Sequence, residues 1–421
     1  MGRFLILLVG LWPAVAAAAD SGQPTATSQA ASWQLVLNSE FQYLSWRSSG
    51  GNSGIAPGIG QGGGTGSQIY VPMALQLTGR PSDAVKFEFL VRSGEIWTRQ
   101  STSNGTVRFS SPTDTSLSFT ASYFGWAGIQ PFASFIVNVP TGSTIINNTS
   151  SNTNMDANLI PTPVFGEGLN LGPTVGVNVA INESTIVSLG VGYTNRGTYD
   201  RVGAFDPITS AQGAVRYDPG DLYTFSGSIG YQGDRETIQV SAAYSIESAS
   251  LVNDQQWYRP GGRIVLTGKA GYAWSDTWSS RLTATYAHTD KYQIAMASVT
   301  ELVEESANSN GDVYRIAADT TYNKDNLSIG PTGSFLYRAP NAYVSTAPEF
   351  VPARRGWSAG MIATYRASDR MTFNGRAEHL WVRESNNPDN VTPGGAVLPG
   401  TGIPASMTDG WLASFGAAAN F

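Results

Sequence analysis

Apolar and polar residues alternate along most of this chain with a period of two. Over positions 169–181, Leu169, Leu171, Val175, Val177, Val179 and Ile181 take one face, and Asn170, Thr174, Gly176 and Asn178 take the other. Over positions 263–274 the apolar face carries Ile264, Leu266, Ala270, Tyr272 and Trp274, opposed by Arg263, Thr267 and Lys269. The same parity runs through "TIQVSAAYSIE", "DVYRIAADTTY", "LSIGPTGSFLYR" and "GWSAGMIATYR". This is the period of a β-strand, whose side chains point alternately to opposite faces. The apolar face is almost free of charge in every strand, unlike the outer face of a soluble sheet. The pattern therefore predicts strands with one side against lipid and the other against water. Two stretches depart from it. Positions 129–139 bring Phe132 and Ile136 to the polar side, and positions 372–384 change parity around Glu378. Both are read as bulges or shifts of register.

The punctuation has its own period. Tight turns rich in Asp, Asn, Ser and Gly occur at "GRPSDA", "WAGI", "INES", "QGDRE", "WSDTW", "NKDN" and "ASDR". Longer polar connections lie between them, over 48–67, 102–112, 143–168, 201–220, 253–261, 298–311, 341–354 and 385–408. About seven short turns alternating with about eight long connections imply roughly 16 strands with both termini on the short-turn side. The expected fold is all-β: a transmembrane antiparallel up-and-down β-barrel with both termini periplasmic. Aromatic residues near predicted strand ends, among them Tyr193, Tyr231, Tyr272, Tyr322 and Trp357, form the interfacial girdles such a barrel needs.

Composition agrees with this class. Charged residues make up only 13% of the chain, aromatic residues 11%, and there are 47 glycines. Mean hydropathy is -0.14. No apolar run approaches the roughly 18 residues a spanning helix needs. At the start, Met1, Gly2 and Arg3 precede an apolar stretch over 4–12 and then "AVAAAAD", which is the layout of a secretory signal peptide cut after Ala19. Residues 1–19 are thus the expected signal peptide, 20–31 a short periplasmic segment and 32–421 the barrel. The chain has no cysteine, so disulfides and thiolate metal sites are excluded.

Function in a barrel of this size belongs to the residues lining the channel. Taking the polar parity as inward, the basic candidates are Lys86, Arg92, Arg196, Arg263, Lys269, Arg281, Lys291, Arg315, Arg338, Arg366 and Arg376; the acidic ones are Glu40, Glu88, Glu247, Asp319 and Glu378. The chain as a whole carries a net charge of -6, so its excess acid falls in loops and turns. Arg263, Lys269, Arg281, Arg315, Arg338, Arg366 and Arg376 are expected to form a basic wall on the later strands and to favour anions. The alternative is that each arginine satisfies a neighbouring carboxylate.

An enzymatic reading has little to rest on. His288 and His379 are the two histidines, and no G-x-S-x-G, H-E-x-x-H or His-Asp-Ser grouping accompanies them. The Gly-rich "GQGGGTGS" lacks phosphate-loop spacing and reads as a flexible outer loop. No cofactor, metal or nucleic-acid partner is expected.

The alternation, the leader and a final strand "GWLASFGAAANF" ending in Phe421 together resemble bacterial outer-membrane β-barrels, and the strand number resembles porins. That resemblance implies an outer-membrane location, lipopolysaccharide and other outer-membrane lipids around the wall, and recognition by the barrel-assembly machinery. It also implies passage of small hydrophilic solutes and a homotrimer. Trp411, Phe415 and Phe421 would then be the assembly and membrane-anchor residues of the closing strand. General porins also fold the third long loop into the barrel and carry "PEFGG" there. "PVFGEG" at 163–168 is similar, with Val164 in place of the motif's acid and Glu167 nearby. The resemblance implies that Asp156 and Glu167 of this loop face the basic wall across a constriction. "QPFASFIVNVPTG" followed by "LNLGPTVGVNVAINES" resembles instead the outer-membrane channels for fatty acids and phenol-pathway compounds. The short segment 20–31 is too small for the fatty-acid family's N-terminal plug. A structural or adhesive barrel is the third alternative.

Overall fold

In the structure, a computed structural model, residues 32–49, 64–102, 105–143, 166–205, 212–295, 301–347, 349–386, 389–391, 397–399 and 405–421 are described. The expected signal peptide, the segment 20–31 and Asp156 lie outside them.

Sixteen antiparallel strands close into one barrel. They are β1 (Ser32–Ser48), β2 (Gly64–Ser82), β3 (Val85–Thr102), β4 (Thr115–Tyr123), β5 (Ile129–Val139), β6 (Asn170–Asn182), β7 (Thr185–Arg196) and β8 (Leu222–Gln232). The second half holds β9 (Glu236–Glu247), β10 (Arg263–Ala273), β11 (Trp278–Thr289), β12 (Val313–Lys324), β13 (Leu327–Arg338), β14 (Arg354–Ser368), β15 (Met371–Glu384) and β16 (Ser406–Asn420). Each pairs with its sequence neighbours, and β1 closes the ring against β16 from Val36↔Asn420 to Ser48↔Thr408. Among the described residues, closure leaves none of the sixteen barrel strands as a free edge, as a membrane interior requires.

The short turns fall at 83–84, 124–128, 183–184, 233–235, 274–277, 325–326 and 369–370, one in each of the seven stretches expected. At one of them Asp325 adopts the left-handed conformation (φ 51°), which Asp tolerates because its short polar side chain can bond locally. Ser32 and Phe421 both lie at this end, the periplasmic end by the short-turn rule. The outer surface is apolar: Leu189, Val240, Ile316 and Met361 are exposed on it, as are the terminal-strand residues Trp411, Phe415 and Phe421. Phe421 is locked in register by exchanging backbone bonds with Leu35 (3.2 and 2.8 Å).

The barrel wall has two heights. Strands β14, β15, β16, β1, β2 and β3 run 14 to 19 residues. Strands β4 to β13 run 9 to 13. The connection expected over 102–112 is itself largely strand, since Gly105–Pro112 folds back along β3. Likewise β2 begins at Gly64, inside the expected loop 48–67, because glycine there did not interrupt the ladder with β1. Around the low sector, short strands within the long connections pair into a separate six-stranded collar between Tyr199–Phe205 and Leu302–Glu304. Glycines mark the break between wall and collar. A Cβ on Gly197, Gly220 or Gly261 would come within 2.0 to 2.5 Å of a neighbouring backbone oxygen, so the chain can cross there only without a side chain.

Two expectations are corrected. Phe132 and Ile136 face the lumen on a regular strand, with no bulge: Phe132 pairs with Gly176 and lies so close that a Cβ on Gly176 would be 2.4 Å from its ring. The glycine makes room for the ring. Strand β15 likewise keeps one parity throughout, with Glu378 inward and His379 outward; the only shift against β14 is at Arg366/Ser368.

Candidate functional site: the lumen wall

The ladders determine which side chains share the inner face. From β10 to β15 the register pairs Thr267 with Thr285, Thr285 with Arg315, Arg281 with Asp319, Arg338 with Arg354, and Ile362 with Arg376. Arg263, Lys269, Arg281, Arg315, Arg338, Arg366 and Arg376 all fall on this face, opposite in parity to the exposed Leu266, Leu282, Ile316 and Met361. Lys291 does not: it lies beyond β11 in a long connection, where Nζ is 3.6 Å from Glu304 and bonds the Ser306 carbonyl at 3.2 Å.

Of the five acids expected on the inner face, all but Glu40 are drawn to cations. Lys86 meets Glu88 at 3.1 Å, Arg196 meets Glu247 at 2.8 Å, Arg281 meets Asp319 at 2.9 Å and Arg376 meets Glu378 at 2.8 Å. Glu378 is the most enclosed of them, 1% exposed, seated where Gly360 leaves space beside its Cγ. Its ion pair with Arg376 has the distance but not the geometry of a hydrogen bond. Arg315 lies within electrostatic reach of both. Two of the seven arginines and lysines of the expected basic wall thus satisfy carboxylates. Arg338 bonds the Pro352 carbonyl at 3.0 Å, while Arg263, Lys269, Arg315 and Arg366 form no ion pair among the described residues. Above the wall, the collar tyrosines Tyr258 and Tyr292 pack edge to face at 5.0 Å, and burial raises both hydroxyl pKa values, keeping them neutral.

Sequence reasoning missed Arg354 and Glu384. Glu384 Oε2 takes Arg354 Nε at 3.1 Å and Nη2 at 3.0 Å, and both side chains are only 6% exposed. Their signal, a cation and an acid at equivalent strand ends, is legible only once β14 and β15 are aligned.

Asp114 was missed as well. This inward carboxylate, 5% exposed, accepts Asn138 Nδ2 at 3.2 Å and the backbone N–H groups of Gly142 (2.8 Å), Gly166 (3.1 Å) and Glu167 (3.1 Å). It therefore holds both stems of the third long connection at one point of the rim. Ser143 N also donates to Ser111 Oγ at 2.9 Å, and Ser111 pairs with the inward Ile96, so the first stem leaves on the lumen side. Glu167 sits at the second stem, accepting from Asn170 Nδ2 at 3.4 Å, with Arg196 the cation in its electrostatic reach.

On the tall sector the inner face changes character. Leu44 (4%), Trp46 (4%), Tyr70 (9%) and Ile96 (2%) are buried there. The Trp46 ring covers Gly66, where a Cβ would be 2.0 Å from it. Neither histidine lines the lumen: His288 bonds Asp312 through Nδ1 at 2.7 Å on the outer face, and His379 packs between Trp381 and Trp411.

No family model and no curated protein matches the chain. Solved structures do. A Pseudomonas aeruginosa FadL homologue aligns at 10% identity over 92% of this chain and 90% of its own, with a TM-score of 0.44. The Pseudomonas putida toluene transporter TodX aligns at 10% identity over 95% and 91%, with a TM-score of 0.39. A triple mutant of Rhodopseudomonas blastica porin aligns at 10% identity over 93% and 100%, with a TM-score of 0.32. The chain's own closed barrel, apolar outer band and aromatic girdles are those of a bacterial outer-membrane protein.

Proposed function

We propose that this barrel is an outer-membrane channel for passive diffusion of small hydrophilic solutes, that it prefers anions, and that the segment following β5 narrows it. One observation carries the preference. After the ion pairs are formed, Arg92, Arg263, Lys269, Arg315 and Arg366 on the inner wall form no ion pair among the described residues, whereas Glu40 and Asp114, the latter held by backbone N–H groups, are the inward strand and strand-end acids that meet no cation there. In a channel too narrow for full screening, an excess of one sign raises the concentration of the opposite ion. The clamp at Asp114 supports the narrowing, because both stems of the connection are held on the lumen side there. Asp156 and Glu167 would supply the acid opposite the basic wall.

Planar-bilayer recordings of the refolded chain in a salt gradient test this reading. An anion-directed reversal potential is expected, and a cation-directed one would overturn the preference. The buried apolar residues Leu44, Trp46, Tyr70 and Ile96 favour a second reading, a dedicated path for apolar or aromatic compounds. Near-zero ionic conductance together with faster uptake of an aromatic hydrocarbon into vesicles would select it.

A further inference from the structure

The outer face of the tall sector repeats a pattern that the lumen does not use. On β3, β14 and β15 it reads Trp97-x-Arg99, Arg355-x-Trp357 and Trp381-x-Arg383, and strand direction puts each arginine two residues beyond its tryptophan toward the long-connection end. Across β14 and β15 the register joins these into a tryptophan tier and an arginine tier, and the tryptophan row continues through Asp409 of β16 to Arg47 of β1. Trp357 pairs with Trp381, and Arg355 with Arg383; Arg47 pairs with Asp409 of "DGW" on β16, and Arg99 with Arg108 of the added strand. All five arginines are exposed. Arg355 also lies over the Tyr337 ring, 5.8 Å from its centroid, while Arg47, Arg99, Arg108 and Arg383 form no ion pair among the described residues. Asp409 and Glu95 are the acids on this face.

The depth fits a membrane boundary. Trp411 and Phe421 are ten residues apart on β16. At ~3.3 Å per residue and ~40° tilt, that is about 25 Å, the height of the apolar band of such barrels. The tryptophans therefore stand at the outer interface and the arginines in the headgroup layer. The low sector mixes both signs at its rim: Asp221 accepts Tyr193 Oη at 2.7 Å and Asp312 accepts Tyr286 Oη at 3.2 Å, with Arg216, Arg259 and Lys291 in the collar beside them.

We infer that the outer face from β14 through β16 to β3 is a binding site for a phosphorylated glycolipid of the outer leaflet, with the arginine tier taking its phosphates and the tryptophan tier the sugar and the upper acyl chain. Guanidinium matches phosphate as a two-pronged donor, and tryptophan belongs at the polar-apolar boundary. The inference rests on the outer-membrane location and is independent of what crosses the lumen.

The test uses the folded full chain in phosphatidylcholine vesicles doped with bis-phosphorylated lipid A, with bound lipid A counted by mass spectrometry after gentle extraction. Replacing Arg47, Arg355 and Arg383 together by Gln should lower retention ~10-fold. The matching Arg→Lys triple should retain part of it, and Asp312→Asn should leave it unchanged. Fully dephosphorylated lipid A should bind the wild type as weakly as lipid A binds the Gln triple. Unchanged retention in the Gln triple would overturn the inference, as would equal retention of dephosphorylated lipid A or of phosphatidylglycerol. Heat-modifiable migration on a gel reports folding. If the triple does not fold, Arg383→Gln alone gives the same readout with a smaller drop.

Discussion

The tall and low sectors of the wall are built from similar strands yet end differently. From β14 to β3 the ladder runs on beyond the membrane; from β6 to β12 it breaks at a row of glycines and restarts as a collar. The contrast shows that continuity decides what a lumen residue experiences. Where the wall runs on, its upper inner face is enclosed: Gln68, Thr98 and Gln100 are 2%, 5% and 3% exposed, and the charged pair there, Arg354–Glu384, is sealed from water. In the low sector Arg281, toward the periplasmic end, stays wet, with its side chain 67% exposed, while Arg196 and Glu247 at the break keep 17% and 23%. One kind of ion pair thus holds structure together in one sector and tunes a channel in the other.

The sharpest way to break this comparison is to remove one acid from each sector. Glu384→Ala strands a buried guanidinium and should cost about 3–5 kcal/mol. Asp319→Ala frees a solvated arginine and should stay within about 1 kcal/mol. Urea midpoints of the folded barrel in detergent check both. Next comes the seam between the sectors: Asp114→Ala leaves buried backbone donors unmatched and should cost roughly 1–3 kcal/mol, with larger and noisier single-channel conductance as the stems come free. A smaller difference is expected between glycines. Gly66→Val drives a side chain into the Trp46 ring and should cost about 1–3 kcal/mol. Gly230→Ala meets nothing within 4 Å and should be neutral or stabilising by up to about 1 kcal/mol. The smallest stability change but the cleanest functional one is expected from Glu378→Gln. It releases Arg376 toward the lumen and should shift the reversal potential further in the anion direction.

Much of this was legible in the residues. Turn chemistry such as "NKDN" and "QGDRE" located the periplasmic end, and period-two alternation assigned Arg263, Lys269 and Arg315 to one face, since both signals are local. What depends on neighbouring strands was not. Phe132 read as a bulge or shift of register because the glycines that accommodate it, Gly176 and Gly190, lie on β6 and β7. Gly64 and Gly66 read as loop, although cross-strand pairing with β1 overrides the weak local preference of glycine. Asp114 sits in "SPTDT", which is indistinguishable from ordinary turn chemistry. Its role emerges only when Gly142 and Gly166, far apart in the chain, converge on it.

That convergence makes the third connection a cassette. Because Asp114 fixes both ends, the sequence between them is closed into a ring whose attachment does not depend on its contents. Closing a longer ring costs only about 0.6 kcal/mol per doubling of length. The wall can therefore stay constant while the sequence over 144–165 is exchanged, shortened or extended, and on the proposed reading of this connection a new solute preference would need no change in any strand.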